Sequence, residues 1–307
     1  MEPTPDPSEG EDQPVTDQAD GGNPGDSFAC VNGLRLRYLE WPSEGEPVLL
    51  LHGLTASARS LAALAEGLAA PRPAHRVVAP DLRGRGRSDK PEHGYSYAHH
   101  TADLVALLDH LGIARAAVVG HSLGALIGVY LAAHQPARVS RLVLIDAATD
   151  TRPEVGAMLQ PLIERLDLTY PSLDAYLDLA RTLPSFQPWN RYLEEGLVDG
   201  LERLPDGRVR PRCPRRVAEE EAAGQRHTSL AALHGRIAAP TLILRATDGL
   251  APGLPPILTP QEAAAVARAI PNARAVDIPA NHYTIAMSGR PDVAQLIADF
   301  LAAENER

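Results

Sequence analysis

Two hydrophobic rhythms alternate along this chain. Short apolar runs recur at Val48 to His52 (VLLLH), Arg76 to Pro80, Ala116 to Gly120, Arg141 to Asp146, Thr241 to Arg245 and Arg274 to Ile278. Runs this short, bounded by turn residues, predict buried strands. Arg35 to Glu40 (RLRYLE) alternates apolar and polar instead, as an outer strand does. Between the runs the period lengthens. Tyr97 to Leu111 carries Leu104, Leu107, Leu108 and Leu111 at helical spacing, with Asp103 and Asp109 off the stripe. Strands alternating with helices long enough for crossover connections predict an α/β fold, a mainly parallel sheet with helices on both faces.

The alternation breaks once, between Asp146 and Thr241, where a long helical and loop-punctuated pattern replaces a single crossover helix. It reads as an inserted helical cap over residues 151–235, flanked by the two pieces of the core, 28–150 and 236–307. The cap holds Trp189, Phe186, Tyr170 and Tyr192, expected to form a small core of its own. Its Pro205-Asp206-Gly207 marks a turn. Further on, Thr259-Pro260-Gln261-Glu262 is a helix start with a capping box, which leaves Asp248 to Leu258 as an irregular loop between a strand and a helix.

Composition narrows the function. The 307 residues are 44% hydrophobic, enough for a large core. Of the net charge of -10, eight negative charges lie in residues 1–27, which contain no Lys or Arg. That segment reads as a disordered acidic tail, and the nearly neutral remainder has no basic footprint for nucleic acid. No secretory leader and no long apolar run is present, so no membrane partner is expected and the expected location is cytoplasmic. Two distant cysteines, Cys30 and Cys213, and scattered histidines, including the adjacent pair His99 and His100, lack metal-ligand spacing. The expectation is an enzyme with no metal and no cofactor, acting on a small molecule.

Gly120-His121-Ser122-Leu123-Gly124 follows one apolar run and opens the apolar stretch Leu123 to His134. A serine in so sharp a strand-to-helix turn needs small flanking residues, and this is the setting of a nucleophile elbow. A serine hydroxyl also needs a base, and the base needs an acid to hold its tautomer. Downstream, Asp248 and His282 each follow a predicted strand, so all three groups fall beyond strand carboxyl ends, where an open sheet collects its ligands. Asp248 is the acid expected here, because its long loop gives it reach. Asp146, which also ends a strand, is the alternative.

With Leu50-Leu51-His52-Gly53, Asp81-Leu82-Arg83-Gly84-Arg85-Gly86-Arg87-Ser88, the elbow, and the Asp248 and His282 segments, residues 30–305 resemble the capped α/β-hydrolase family of esterases, lactonases, carbon–carbon bond hydrolases, epoxide hydrolases and dehalogenases. The resemblance implies that the backbone N–H groups of Leu54 and Leu123 stabilise an oxyanion. It also implies that the Asp81 to Ser88 loop is a structural turn. The chain has Asn281 and Ala246 where relatives often have glycine, and Ser122 where dehalogenases and epoxide hydrolases have an aspartate.

The expected reaction is hydrolysis of a largely apolar carboxylic ester through an acyl-enzyme. Lactone opening comes second. Carbon–carbon cleavage comes third and would need a cation for an acid group, with Arg181 and Arg191 as candidates. A different class, a ligand-sensing receptor using the same pocket, is the alternative to an enzyme.

Overall fold

The computed structural model describes residues 25–70, 75–225 and 227–303. The elements run β1 (Ser27–Val31), β2 (Leu34–Trp41), β3 (Pro47–Leu51), α1 (Ala62–Ala69), β4 (Arg76–Pro80), α2 (Tyr97–His110), β5 (Ala116–His121), α3 (Leu123–His134) and β6 (Val139–Ile145). Then follow α4 (Pro153–Glu164), α5 (Leu173–Arg181), α6 (Arg191–Asp199), β7 (Leu201–Arg203), β8 (Val209–Pro211) and α7 (Arg215–Gln225). The chain closes with β9 (Thr241–Ala246), α8 (Pro260–Ala269), β10 (Ala273–Ile278), α9 (Thr284–Met287) and α10 (Pro291–Ala302).

Eight strands form one sheet in the order β1-β2-β4-β3-β5-β6-β9-β10. From β4 to β10 neighbours are parallel, while β1 and β2 join one edge antiparallel. The apolar runs are buried on both faces. Leu49 and Leu51, Val118, and Leu142 and Leu144 meet α2 and α3, whereas Val48 and Leu50, Val119, and Val143 and Ile145 meet α1 and α10. Successive side chains of a strand point to opposite faces, so continuous apolar runs are what a sheet covered on both sides needs. In α2, Leu104, Leu107 and Leu108 are buried as the spacing predicts. Asp103, off that stripe, is buried too, because its carboxylate takes a two-pronged contact from Arg83 at 2.6 and 2.7 Å.

Three expectations need correction. The body begins before residue 28: Ser27 opens β1, and Asp26 pairs with the buried Arg37 at 2.6 Å. The expected tail otherwise falls at residues 1–24, outside the described residues. The insertion between β6 and β9 is mostly helical but also contains the hairpin β7–β8 around Pro205-Asp206-Gly207. It ends earlier than 235, since Leu230 and Leu233 belong to the core on the α3 side. Its aromatics do not form a separate core. Phe186, Trp189 and Tyr192 pack against the main cluster, and Tyr170 meets Tyr176 edge to face at 4.9 Å.

The Asp81 to Ser88 loop is a structural turn. Asp81 is buried and accepts from Arg37 Nη1 at 3.0 Å, from the Ala58 N–H at 2.7 Å and from the Arg87 N–H at 2.8 Å. Gly86 has φ of +49°, and a Cβ there would lie 2.1 Å from the Asp81 carboxylate. Only glycine fits that turn. Arg37 also reaches Asp199 of the insertion at 2.8 Å.

Candidate active site

Ser122 sits between β5 and α3 with φ of 55° and ψ of -120°. A side chain rarely adopts such a backbone, and it persists only where the surroundings over-determine it. Here they do. The Ser122 N–H donates to Ile145 O on the neighbouring strand at 3.0 Å. A Cβ on Gly120 would lie 2.3 Å from Gly124 O, and one on Gly124 would lie 2.3 Å from Leu51 O. The two glycines therefore let the strand and helix close tightly around the serine.

Ser122 Oγ lies 3.1 Å from Nε2 of His282, on the loop after β10. The other imidazole nitrogen, Nδ1, is 2.8 Å from Oδ2 of Asp146. An ionised carboxylate only accepts, so Nδ1 carries the proton and Nε2 is left to accept the serine proton. The ring is held from its own backbone as well, since His121 Nε2–H donates to the His282 carbonyl at 2.8 Å. Burial and the neighbouring His282 push the His121 imidazole down to about 3, so it stays neutral beside His282.

The acid on His282 is thus Asp146, not Asp248. Asp146 ends β6 with φ of 53°, a left-handed turn that swings its side chain out of the strand. It is fully buried, its N–H donates to Leu244 O at 2.7 Å, and its Oδ1 accepts from the Ala246 N–H at 2.9 Å. Burial raises its pKa, against the opposing pull of His282 and the Ala246 N–H. Asp248 is exposed; among the described residues its carboxylate accepts from its neighbour Thr247 Oγ1, at 3.2 Å, and its N–H is tied to Ala280 O. The physical reason is how each carboxylate is aimed: the left-handed turn at Asp146 sends its side chain across the end of β9, where the Ala246 N–H fixes one oxygen and leaves the other to His282, whereas the Asp248 side chain ends at the surface beside Thr247.

The two N–H groups expected to face an oxyanion sit beside the serine. Leu123 is the first residue of α3, where a helix leaves its N–H groups without intrahelical partners. Leu54 follows Gly53, whose Cα carries no side chain against Ser122: a Cβ there would lie 3.3 Å from Ser122 Cβ. The Gly53 carbonyl is held by His52 Nδ1–H at 2.8 Å, and His52 Nε2 accepts from the Leu82 N–H at 3.0 Å. With its carbonyl turned to His52, the Gly53–Leu54 peptide turns its N–H the opposite way.

Aromatic rings from the insertion and the His282 loop meet beside the His282 imidazole. Tyr283 is 5.7 Å from the His282 ring, and Phe186 lies edge to face on Tyr283 at 4.9 Å. Burial pushes the Tyr283 phenol up to about 12, so it remains neutral. The insertion is fastened there by Asn281 Nδ2 to Ser185 O at 3.1 Å and by Ser185 Oγ to Leu250 O at 2.8 Å. Asn281 has its own work, accepting from the N–H groups of Tyr283 and Thr284, which shapes the turn that presents His282. Arg181 and Arg191 are not part of this region. They are exposed and engage Glu194 at 3.0 Å and the Tyr192 hydroxyl at 2.7 Å, respectively. Among the described residues, no group of three or more His, Cys, Asp or Glu is placed to hold a metal ion, and no helix is long and apolar enough to cross a membrane.

Comparison with known proteins agrees with this architecture. A haloalkane dehalogenase of Mycolicibacterium paratuberculosis is 33% identical over 195 residues, 62% of this chain and 54% of that protein. A non-heme chloroperoxidase of Streptomyces lividans is 33% identical over 187 residues, 55% of this chain and 63% of that protein. The matches thus span between about half and two thirds of these relatives' lengths. Among solved structures, E-2-(acetamidomethylene)succinate hydrolase superposes with a TM-score of 0.78 at 25% identity, covering 91% of this chain and 99% of the other. The family model described as alpha/beta hydrolase fold matches residues 46–286, and on that match the chain belongs to the α/β-hydrolase family.

Proposed function

We propose that this protein is a serine hydrolase that cleaves carboxylic esters through an acyl-enzyme. The observation that carries the reading is the unbroken chain of contacts from Ser122 Oγ to His282 Nε2 at 3.1 Å and from His282 Nδ1 to Asp146 at 2.8 Å. In the proposed reaction Ser122 Oγ attacks the ester carbonyl as His282 takes its proton. Asp146 holds the Nδ1–H tautomer and stabilises the imidazolium. The tetrahedral oxyanion accepts from the Leu123 and Leu54 N–H groups, donors that act on charge present only in the transition state and are worth roughly 3 kcal/mol or more each. The imidazolium then protonates the departing alcohol. Water, deprotonated by the same imidazole, releases the acid and regenerates Ser122. No step calls on a cofactor.

The rings of Tyr283 and Phe186 beside His282 favour an apolar ester. A lactone would be opened by the same groups and is the second substrate class. Carbon–carbon cleavage loses support because Arg181 and Arg191 are engaged elsewhere. Halide displacement from carbon, as the name of the dehalogenase relative describes, conventionally needs a carboxylate at the nucleophile position, which Ser122 does not supply.

The test is a pre-steady-state assay with an activated aryl ester and an aryl lactone. The expected result is a burst of product equal to the enzyme, followed by steady turnover. A single slow turnover with no recovery would overturn the reading in favour of a ligand-sensing receptor.

A further inference from the structure

The helix α7 ends the insertion and is strongly polar, yet its inward face, Val217, Ala218 and Glu221, is buried. Glu221 is a carboxylate in the interior, and its Oε2 accepts from Arg85 Nη1 at 2.9 Å and from His100 Nε2 at 2.8 Å. All three side chains are at most 1% exposed. Burial alone would raise the Glu221 carboxyl, but His100 and Arg85 outweigh it and hold the pKa below its ordinary value. A buried pair of this kind is a poor source of stability, since apolar replacements of the same volume are often neutral or better. Its worth lies in fixing a geometry.

Arg85 shows which geometry. It is fully buried in the turn after β4, where its Nε donates to Leu54 O at 3.0 Å and its Nη1 to Arg83 O at 3.1 Å. Leu54 therefore has both flanking peptides held: the Gly53 carbonyl by His52 at 2.8 Å, and its own carbonyl by Arg85. With both planes fixed, the direction of the Leu54 N–H is fixed too. A planar guanidinium is suited to this because one side of its fork can be set by a carboxylate while another nitrogen donates elsewhere.

We infer that Glu221 is a positioning residue: through Arg85 it sets the aim of the Leu54 N–H, so that the seating of α7 on the core governs oxyanion stabilisation at Ser122. This rests on the hydrolase reading, in which Leu54 is an oxyanion donor. The insertion would then tune the rate of the chemical step in addition to shaping the substrate pocket. A misaim well below 1 Å suffices, because a displacement of about 1 Å can cost on the order of a hundred-fold in rate.

The experiment compares the parent with Glu221→Gln, Arg85→Met and the paired Glu221→Met/Arg85→Met, using ester kinetics, thermal stability and the affinity of an aryl trifluoromethyl ketone, which adds to the serine as an oxyanion. Glu221→Gln is expected to lower kcat about ten-fold or more with KM within about two-fold. Ketone affinity should fall by the same factor as kcat/KM. The paired apolar variant, assayed well below its melting temperature, should keep the low kcat and the weak ketone binding with KM near the parent's, which a merely structural role would not produce. Parent-like kcat and ketone affinity in that well-folded pair would overturn the inference while leaving the hydrolase reading intact. A parent that neither turns over esters nor binds the ketone would overturn the hydrolase reading and this inference with it.

Discussion

Asp146 and His282 meet at 2.8 Å although the strands that carry them, β6 and β10, are separated in the sheet by β9. The Asp146 side chain spans that strand at its end, leaving one oxygen on the Ala246 N–H of β9 and sending the other to the imidazole. Replacing the carboxylate with its isosteric amide preserves the packing but favours the wrong imidazole tautomer. Asp146→Asn is expected to cost about ten-thousand-fold in kcat, and Asp248→Asn less than about ten-fold. Steady-state kinetics on both variants, with circular dichroism to confirm folding, decide the matter, and the reverse order would return the role to Asp248.

Ser122→Ala removes the nucleophile while leaving the turn intact, since alanine keeps the Cβ that the elbow already accommodates. Turnover should fall on the order of a million-fold with the melting temperature nearly unchanged. In the parent, a fluorophosphonate should add one equivalent of mass, on the tryptic peptide containing Ser122. Labelling of any other serine, or ester turnover by the alanine variant above a few per cent, would contradict the proposed chemistry.

Stability should fall on mild acidification through two buried imidazoles. Burial lowers His52 to about 4 and His121 to about 3, each from an ordinary value of 6.5. The folded state therefore binds fewer protons than the unfolded state below pH 6.5. Their contribution is fully present above that pH and is lost as the pH falls towards the folded values, with a slope of up to about 1.4 kcal/mol per pH unit for each imidazole. Urea midpoints measured from pH 7 to pH 4 should drop steeply, and less steeply in His121→Asn. A midpoint independent of pH across that window would show that neither imidazole stays neutral in the fold.

Glycines differ sharply in what they tolerate. Gly124→Ala forces a Cβ to 2.3 Å from Leu51 O and should destabilise by at least about 2 kcal/mol, with activity lost. Gly156, inside α4, has open space around its Cα, so Gly156→Ala should stabilise by up to about 1 kcal/mol through helix propensity alone. Chemical denaturation of the two variants, with opposite signs expected, checks the account.

The strands and helices that carry the chemistry were readable because each is a strong local pattern. The run at Arg76 to Pro80 and the helix Leu123 to His134 coincide with β4 and α3, and the capping box at Thr259 and Glu262 forms with bonds of 2.8 and 3.2 Å. The first strand, Ser27–Val31, is too short for a periodic signal and starts at the edge of the polar leader. Its signal was Asn32-Gly33, whose φ values of 50° and 76° make the tight hairpin that pairs β1 with β2. The acid was misread for a different reason. Loop length suggested reach for Asp248, but what aims Asp146 at His282 is its left-handed backbone and the Ala246 N–H of a strand a hundred residues away, a contact between distant segments that leaves no local mark. Glu221 was likewise invisible, since a glutamate in a polar helix looks like one more solvated charge until the partner facing it is known.

Arg37 gathers three carboxylates: Asp26 from the start of the described chain, Asp81 from the turn after β4, and Asp199 from the insertion. Asp199 in turn accepts from Ser57 Oγ at 2.7 Å, on the segment that follows Leu54. In mechanical terms this guanidinium is a shared anchor bolt. Tension applied at Asp26 loads Arg37 and, through the same side chain, the attachment of the insertion and the segment that follows Leu54. Since Arg37 belongs to β2, one side chain of the sheet couples the first described residues, the turn after β4 and the insertion.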